Sequence, residues 1–232
     1  MLRTLVAVGI ACVAVGAHAQ VSGNATLLSD YRFRGVSLSD DKPAAQASIN
    51  FDALSSGWYA GGMLSSARVE QKDVAQLLGY GGYAQRLGAD FSWEAGLTYS
   101  RFTGHDAYPY AEAYGGLAWK RLVARLYYTP DYFNSGVPAW YLDLDGSQPL
   151  STHWYLFGHV GWLRRNGELS TDHTTRYRTD LHAGLGFTLK PFDFQLGWSG
   201  VLGSHGSSYF FGYPVDESVS RDAWIASLSY AW

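Results

Sequence analysis

Trp224-Ile225-Ala226-Ser227-Leu228-Ser229-Tyr230-Ala231-Trp232 decides the fold. Trp224, Ala226, Leu228, Tyr230 and Trp232 share one face and Ile225, Ser227, Ser229 and Ala231 the other, a period of two that belongs to a strand and not to a helix. Working back along the chain, Phe91, Trp93, Ala95, Leu97 and Tyr99 alternate with Ser92, Glu94, Gly96, Thr98 and Ser100. Trp154, Leu156, Gly158, Val160 and Trp162 form one face of another run. Residues 177–189 repeat the pattern with Arg178, Asp180 and His182 on the polar side, and residues 21–35 do so with Asp30, Arg32 and Arg34. Segments of about ten alternating residues between turn residues are the mark of a transmembrane β-barrel. The chain is therefore read as all-β, a transmembrane antiparallel β-barrel. Its twelve strands are expected near 21–35, 44–53, 57–66, 78–87, 91–102, 109–119, 121–129, 138–146, 152–165, 176–189, 192–203 and 221–232. The one competing signal is a weak helical stripe at 69–78.

Composition agrees. Of 232 residues 47% are hydrophobic and 16% charged, with 9 Trp, 17 Tyr and 11 Phe, far too much apolar surface for a disordered chain. A formal net charge of −3 excludes a strongly basic nucleic-acid binder. No stretch after residue 19 approaches eighteen uncharged apolar residues, so the barrel is the expected way across a bilayer.

Residues 1–19 read as a cleaved secretory signal: Arg3, an uncharged apolar run from Leu5 to Gly16, then Ala17-His18-Ala19 as an A-x-A site. The single barrel domain is residues 20–232. The signal carries away Cys12, the only cysteine, so no disulfide is expected in the exported chain.

The connections between expected strands alternate in length. Those at 36–43, 67–77, 103–108, 130–137, 166–175 and 204–220 are long, whereas those at 54–56, 88–90, 120, 147–151 and 190–191 are short. Short periplasmic turns and longer extracellular loops produce this alternation in a barrel with both termini on the periplasmic side. Two aromatic girdles fit the same orientation. Phe51, Trp58, Phe91, Trp93, Trp119, Trp154, Phe192 and Trp232 mark the periplasmic rim; Tyr31, Phe33, Tyr99, Phe102, Tyr128, Trp140, Trp162, Tyr177 and Trp224 mark the outer rim.

Several strand-end motifs carry a resemblance. Ser29-Asp30-Tyr31-Arg32-Phe33-Arg34-Gly35-Val36-Ser37, followed by Lys42-Pro43-Ala44, resembles the opening of the TorF-like porin family of proteobacteria. Tyr110-Ala111-Glu112-Ala113-Tyr114-Gly115-Gly116-Leu117 and Tyr127-Tyr128-Thr129-Pro130-Asp131-Tyr132-Phe133 are similar to its central motifs. The resemblance implies an outer-membrane β-barrel of a Gram-negative bacterium, with a transport role, no cofactor and no specified substrate. Trp232 stands where outer-membrane proteins more commonly end in Phe.

Catalytic patterns are missing from the sequence: no G-x-S-x-G, no H-E-x-x-H, no P-loop and no paired cysteines. His153 and His159 share a strand face, but roughly 20 Å separates positions six residues apart on a strand, too far for one metal. His105-Asp106 and Asp172-His173 fall in expected loops. Neither a catalytic nor a metal site is assigned. The lumen is the candidate site, because a charge facing lipid at mid-depth costs about 2–4 kcal/mol for Arg or Lys. The inward, pore-lining set is Asp30, Arg32, Arg34, Asp52, Glu94, Glu112, Arg125, Asp143, Asp145, Arg178, Asp180, His182 and Asp193. Two interiors fit: a narrow aqueous passage, or charges paired into a polar plug, since twelve strands lie between a filled barrel and a wide pore. If the connection at 130–137 is centred on Asn134, Arg125 faces Asp143 as a plug pair.

The expected function is a narrow channel for passive diffusion of small hydrophilic solutes or ions, weakly cation-preferring, and not an enzyme. A lipid-modifying barrel enzyme and a closed structural or adhesion barrel are the alternatives. Expected partners are outer-membrane lipid, the permeating solute and, through the C-terminal strand, the barrel-insertion machinery, with no nucleic acid. The run Tyr209-Phe210-Phe211-Gly212-Tyr213 is a candidate cover for the mouth.

Overall fold

The computed structural model describes residues 19–53, 55–165, 177–202 and 220–232. Of the expected signal 1–19 all but Ala19, which opens the first strand, and likewise Asp172-His173 and the aromatic run 209–213, lie outside the described residues. Fourteen strands form among them, in chain order β1 (Ala19–Leu28), β2 (Arg32–Phe33), β3 (Val36–Ser37), β4 (Ala44–Ala53), β5 (Trp58–Val69), β6 (Lys72–Arg86), β7 (Phe91–Phe102), β8 (His105–Trp119), β9 (Leu122–Thr129), β10 (Ala139–Pro149), β11 (Trp154–Arg165), β12 (Tyr177–Leu189), β13 (Phe192–Leu202) and β14 (Asp222–Ala231). Twelve of them close into one antiparallel barrel, each beside its neighbour in sequence, with β1 against β14. Closure satisfies every sheet edge, which is what lets strands cross hydrocarbon at all.

Period two does the sorting. Leu27, Ile49, Leu64, Leu97, Leu117, Leu126, Leu156 and Leu196 point outward and are each 44–66% exposed. Exposed leucine of that extent on a closed sheet is the outward apolar band expected of a transmembrane barrel. On the opposite face small residues leave room for large ones. A Cβ at Gly96 would sit 2.6 Å from the Tyr114 hydroxyl, so that ring lies flat against the wall.

The loop end differs from expectation in three ways. The strand expected at 21–35 stops at Leu28, and 29–43 turns into the lumen as a small hairpin of β2 and β3, carrying Asp30, Arg32 and Arg34 on the hairpin instead of the wall. Tyr31 and Phe102, expected on the outer rim, are buried inside, and Phe33 packs edge-on against Phe133. The connections expected to be long at 67–77 and 103–108 are tight turns. Glu70 and Gln71 take left-handed φ of 48° and 64°, pairing Val69 with Lys72, and Thr103-Gly104 joins β7 to β8. Polar residues there are strand residues projecting beyond the apolar belt, which a hydropathy reading takes for loop. The helical stripe at 69–78 is therefore strand, and His105-Asp106 opens β8.

A second infolded segment, around the 3₁₀ turn Tyr132–Asn134, meets the hairpin. Together they build the buried core at this end. Tyr31, Val36 and Leu38 come from the hairpin, and Phe102, Tyr110, Tyr132, Phe133, Tyr141, Leu163 and Val201 surround them. Leu38 links the hairpin to the wall, accepting from the Arg68 amide at 2.7 Å.

Candidate functional site

Below the hairpin, toward the short-turn end, the barrel encloses a cavity of about 650 Å³. Of the thirteen charged or histidine side chains expected inside, Asp30, Arg32, Arg34, Glu94, Glu112, Arg125, Asp143, Asp145, Asp180 and His182 line it. Arg178 is instead buried under the hairpin, its guanidinium donating to the Arg34 carbonyl at 3.4 Å. Asp193 accepts from Tyr155 at 2.7 Å and Thr188 at 2.6 Å. Asp52 is exposed one residue from the end of β4.

The charges are grouped by register. Arg34, at the hairpin tip, donates to both Glu112 oxygens at 2.7 and 2.9 Å, and both side chains are 5% exposed. Arg32 pairs with Asp30 at 2.7 Å, and the other Asp30 oxygen accepts from Ser37 and Ser39. Arg125 lies opposite Asp143 as expected, but its ion pair is with Glu94, at 2.6 Å. The reason is Gly116, the register partner of both Glu94 and Arg125 on the intervening strand. With no side chain there, Arg125 reaches across β8, through space a Cβ would enter to within 3.1 Å of it. Glu94 also accepts from Tyr59 at 2.8 Å, and Tyr59 bonds the Tyr114 hydroxyl at 2.5 Å.

The remaining carboxylates gather on His159, which the sequence reading left out of the lumen set. Its Nδ1 lies 2.9 Å from Asp145 and 3.3 Å from Asp143; its Nε2 lies 3.0 Å from Asp180 and 3.1 Å from the Tyr141 hydroxyl. Asp143, Asp145 and His159 offer metal-type donor atoms within 4.8 Å of one another, but both imidazole nitrogens already meet side chains of the cluster. His153 lies in the turn before β11, its Nδ1 against the Thr188 carbonyl at 3.0 Å. His159 was legible in principle, since it has the opposite parity to Trp154 through Trp162. The same signal marks Tyr59, Tyr80, Tyr114, Tyr127 and Tyr141, the aromatic lining of the cavity.

A second cavity of about 360 Å³ shares Asp145, His159 and His182 with the first and continues past Ser147, Tyr155 and Gln195 toward the short-turn end. The arrangement is thus a charged, tyrosine-lined lumen with the hairpin folded into its loop end. Along the larger cavity, among the described residues, six carboxylates meet three guanidiniums. Each guanidinium has a carboxylate partner, leaving Asp143, Asp145 and Asp180 with His159.

Comparison with solved structures places the fold. The NanC porin matches with a TM-score of 0.56 at 10% identity, covering 91% of this chain and 99% of that one. The KdgM porin matches with a TM-score of 0.55 at 12% identity over the same shares. KdgM in complex with disordered oligogalacturonate gives 0.52 at 11% identity, covering 92% and 99%. At such identities the likeness is one of fold, that of the porin barrel. No curated protein matches the sequence. Residues 14–229 match the family described as "Bacterial protein of unknown function (Gcw_chp)", and with nearly the whole chain inside that match, this barrel belongs to the Gcw_chp family.

Proposed function

We propose that the chain is a narrow outer-membrane channel for small hydrophilic solutes or ions, weakly cation-preferring, with the β2–β3 hairpin restricting the loop end. The observation that carries this reading is a charged cavity continuing toward the short-turn end inside a lipid-facing belt. The porin fold and the resemblance of the opening motif to TorF-like porins support it. By the same reading the short-turn end is periplasmic, lipid surrounds the belt, and β14 is presented to the insertion machinery. The inward charges are the pore-lining residues, and the acidic excess argues against carrying over the polyanionic oligogalacturonate of the KdgM complex.

A closed barrel is the second reading, favoured by one observation: the hairpin and the Tyr132–Asn134 turn pack into a buried, largely apolar core at the loop end. For a lipid-modifying enzyme the support is weaker. His159 meets carboxylates and Tyr141, His153 meets the Thr188 carbonyl, and His182 packs edge-on against Phe157.

Conductance of refolded protein in a planar bilayer tests the proposal, and a silent bilayer overturns it in favour of the closed barrel. Acidic linings favour cations, and in a low-dielectric passage bulk salt screens them less than at the mouth. The cation preference therefore weakens as salt rises. Asp143→Asn with Asp145→Asn lowers the sodium-to-chloride permeability ratio by roughly twofold or more. Asp40→Asn with Asp41→Asn changes it little. Those loop acids lie beside cations of their own, Asp40 at 2.8 Å from Lys42 and Asp41 at 3.3 Å from Arg32. A clear anion preference in the unmodified protein means that the arginines dominate the field.

A further inference from the structure

The hairpin tip departs from ordinary turn chemistry. A two-residue turn with positive φ at both central positions favours Asn-Gly or Asp-Gly, yet here the pair is Arg34-Gly35, at φ 50° and 82°. Gly35 suits its place, because a Cβ there would lie 2.6 Å from both Asp180 and Val201 on the wall. Arg34 gains nothing from its backbone, and its side chain explains its presence. The guanidinium carbon lies 4.0 Å from the ring centre of Tyr141, 5.4 Å from Tyr127 and 5.7 Å from Tyr132, while Glu112 accepts two hydrogen bonds at the edge. The hairpin adds one ring of its own, Phe33 at 4.8 Å, whereas these four partners all lie outside it. The barrel and the 130–138 connection thus build an aromatic cage with a carboxylate beside it, and the hairpin fills it with the protein's own cation.

Aromatic faces around a positive charge, with a carboxylate at the edge, are the general means of recognising a planar cation. We propose that Glu112, Tyr127, Tyr132 and Tyr141 form a binding site for small guanidinium-bearing solutes, with Arg34 as a tethered competitor. The proposal rests on the channel reading in one respect only, that solute reaches the cage through the lumen. Tyr141 joins the two halves of that route: its ring faces Arg34, and its hydroxyl bonds Asp180 at 3.1 Å within the His159 cluster. A cation drawn in by the carboxylates gathered on His159 therefore arrives beside the cage. A short tether holds Arg34 there at an effective concentration in the millimolar range or above, so free solute binds the unmodified protein weakly.

Calorimetric titration of full-length protein in detergent with methylguanidinium tests this, with folding of each variant checked by heat-modifiable gel mobility. Arg34→Ala binds methylguanidinium on the order of tenfold tighter than the unmodified protein, because the competitor is gone. Adding Glu112→Gln to Arg34→Ala abolishes most of that gain. Arg34→Lys keeps a charge and a stem, and secures the test if the alanine variant does not fold. It binds about threefold tighter than the unmodified protein, since an ammonium cannot match the planar stack. In bilayers, methylguanidinium lowers the conductance of Arg34→Ala toward that of the unmodified protein. A folded Arg34 variant that binds no tighter, or a gain that survives Glu112→Gln, overturns the site. If no variant conducts, the channel reading fails, and the calorimetric comparison still decides the cage.

Discussion

Replacing residues 29–43 with an Asn-Gly turn raises single-channel conductance on the order of five- to tenfold, from a hairpin-restricted twelve-stranded lumen toward an open one. The replacement is geometrically mild for the wall. Leu28 and Ala44 are register partners at the last rung of the β1–β4 ladder, so a two-residue turn can join them and leave all ten pairs in place. What is lost is the obstruction. The hairpin runs from β1 across the lumen to Glu112 on β8, and its tip touches Asp180 on β12 and Val201 on β13. A single change gives a graded version. Gly35→Val puts a branched side chain at a left-handed φ of 82° and into contact with both wall residues, so the tip cannot seat. Its conductance falls between the two limits. Equal conductance in all three proteins means that the hairpin does not stand in the path.

The hairpin is also where sequence reading reached its limit. Alternation along β7, β12 and β13 locates those strands to within a residue, because an apolar exterior on one side and a polar lumen on the other impose period two on the wall residues. Asp30 through Arg34 alternate just as well, yet they fold inward, since a buried hairpin between two faces of a lumen is also an extended chain. Gly35 was the only local sign of a turn, and one glycine in a strand pattern reads as easily as a bulge. The 130–138 connection gives the opposite lesson. Its centre at Asn134 sets the β9–β10 register correctly, placing Arg125 opposite Asp143. The bond goes to Glu94 nevertheless, because partner choice depends on which neighbour lacks a side chain, and Gly116 lies between. The His159 cluster needed register on both sides at once, Asp145 from β10 and Asp180 on β12, which no single-strand pattern contains.

Deleting Tyr230-Ala231-Trp232 abolishes folded barrel in the outer membrane, leaving the chain in the periplasm or degraded. The seam between β1 and β14 is the shorter of the two β1 makes: five register pairs, from Asn24↔Ala231 to Leu28↔Ser227, against ten with β4. Beyond them Gly23 and Trp232 exchange backbone hydrogen bonds at 3.2 and 3.1 Å. The deletion removes that exchange and two of the five pairs, and with them the Tyr230 ring that packs on Phe192 at 5.4 Å. Trp232 closes the seam with its side chain as well. Its indole lies over Gly23, where any Cβ would come within 2.8 Å of the ring and of the Ser48 carbonyl. A shortened seam leaves unpaired N–H and C=O groups at the edge of a bilayer, at several kcal/mol for each one that meets hydrocarbon. Trp232→Phe keeps an aromatic terminus and both backbone bonds, so it assembles and shows the heat-modifiable mobility of the unmodified protein. Gly23→Leu keeps the terminus intact but displaces the indole, and assembles less well than Trp232→Phe. Separating these two variants distinguishes loss of a terminal aromatic signal from loss of the seam itself. Normal outer-membrane levels of the three-residue deletion refute the closing role of this strand end, because no other pair in the barrel can take over the β1 edge.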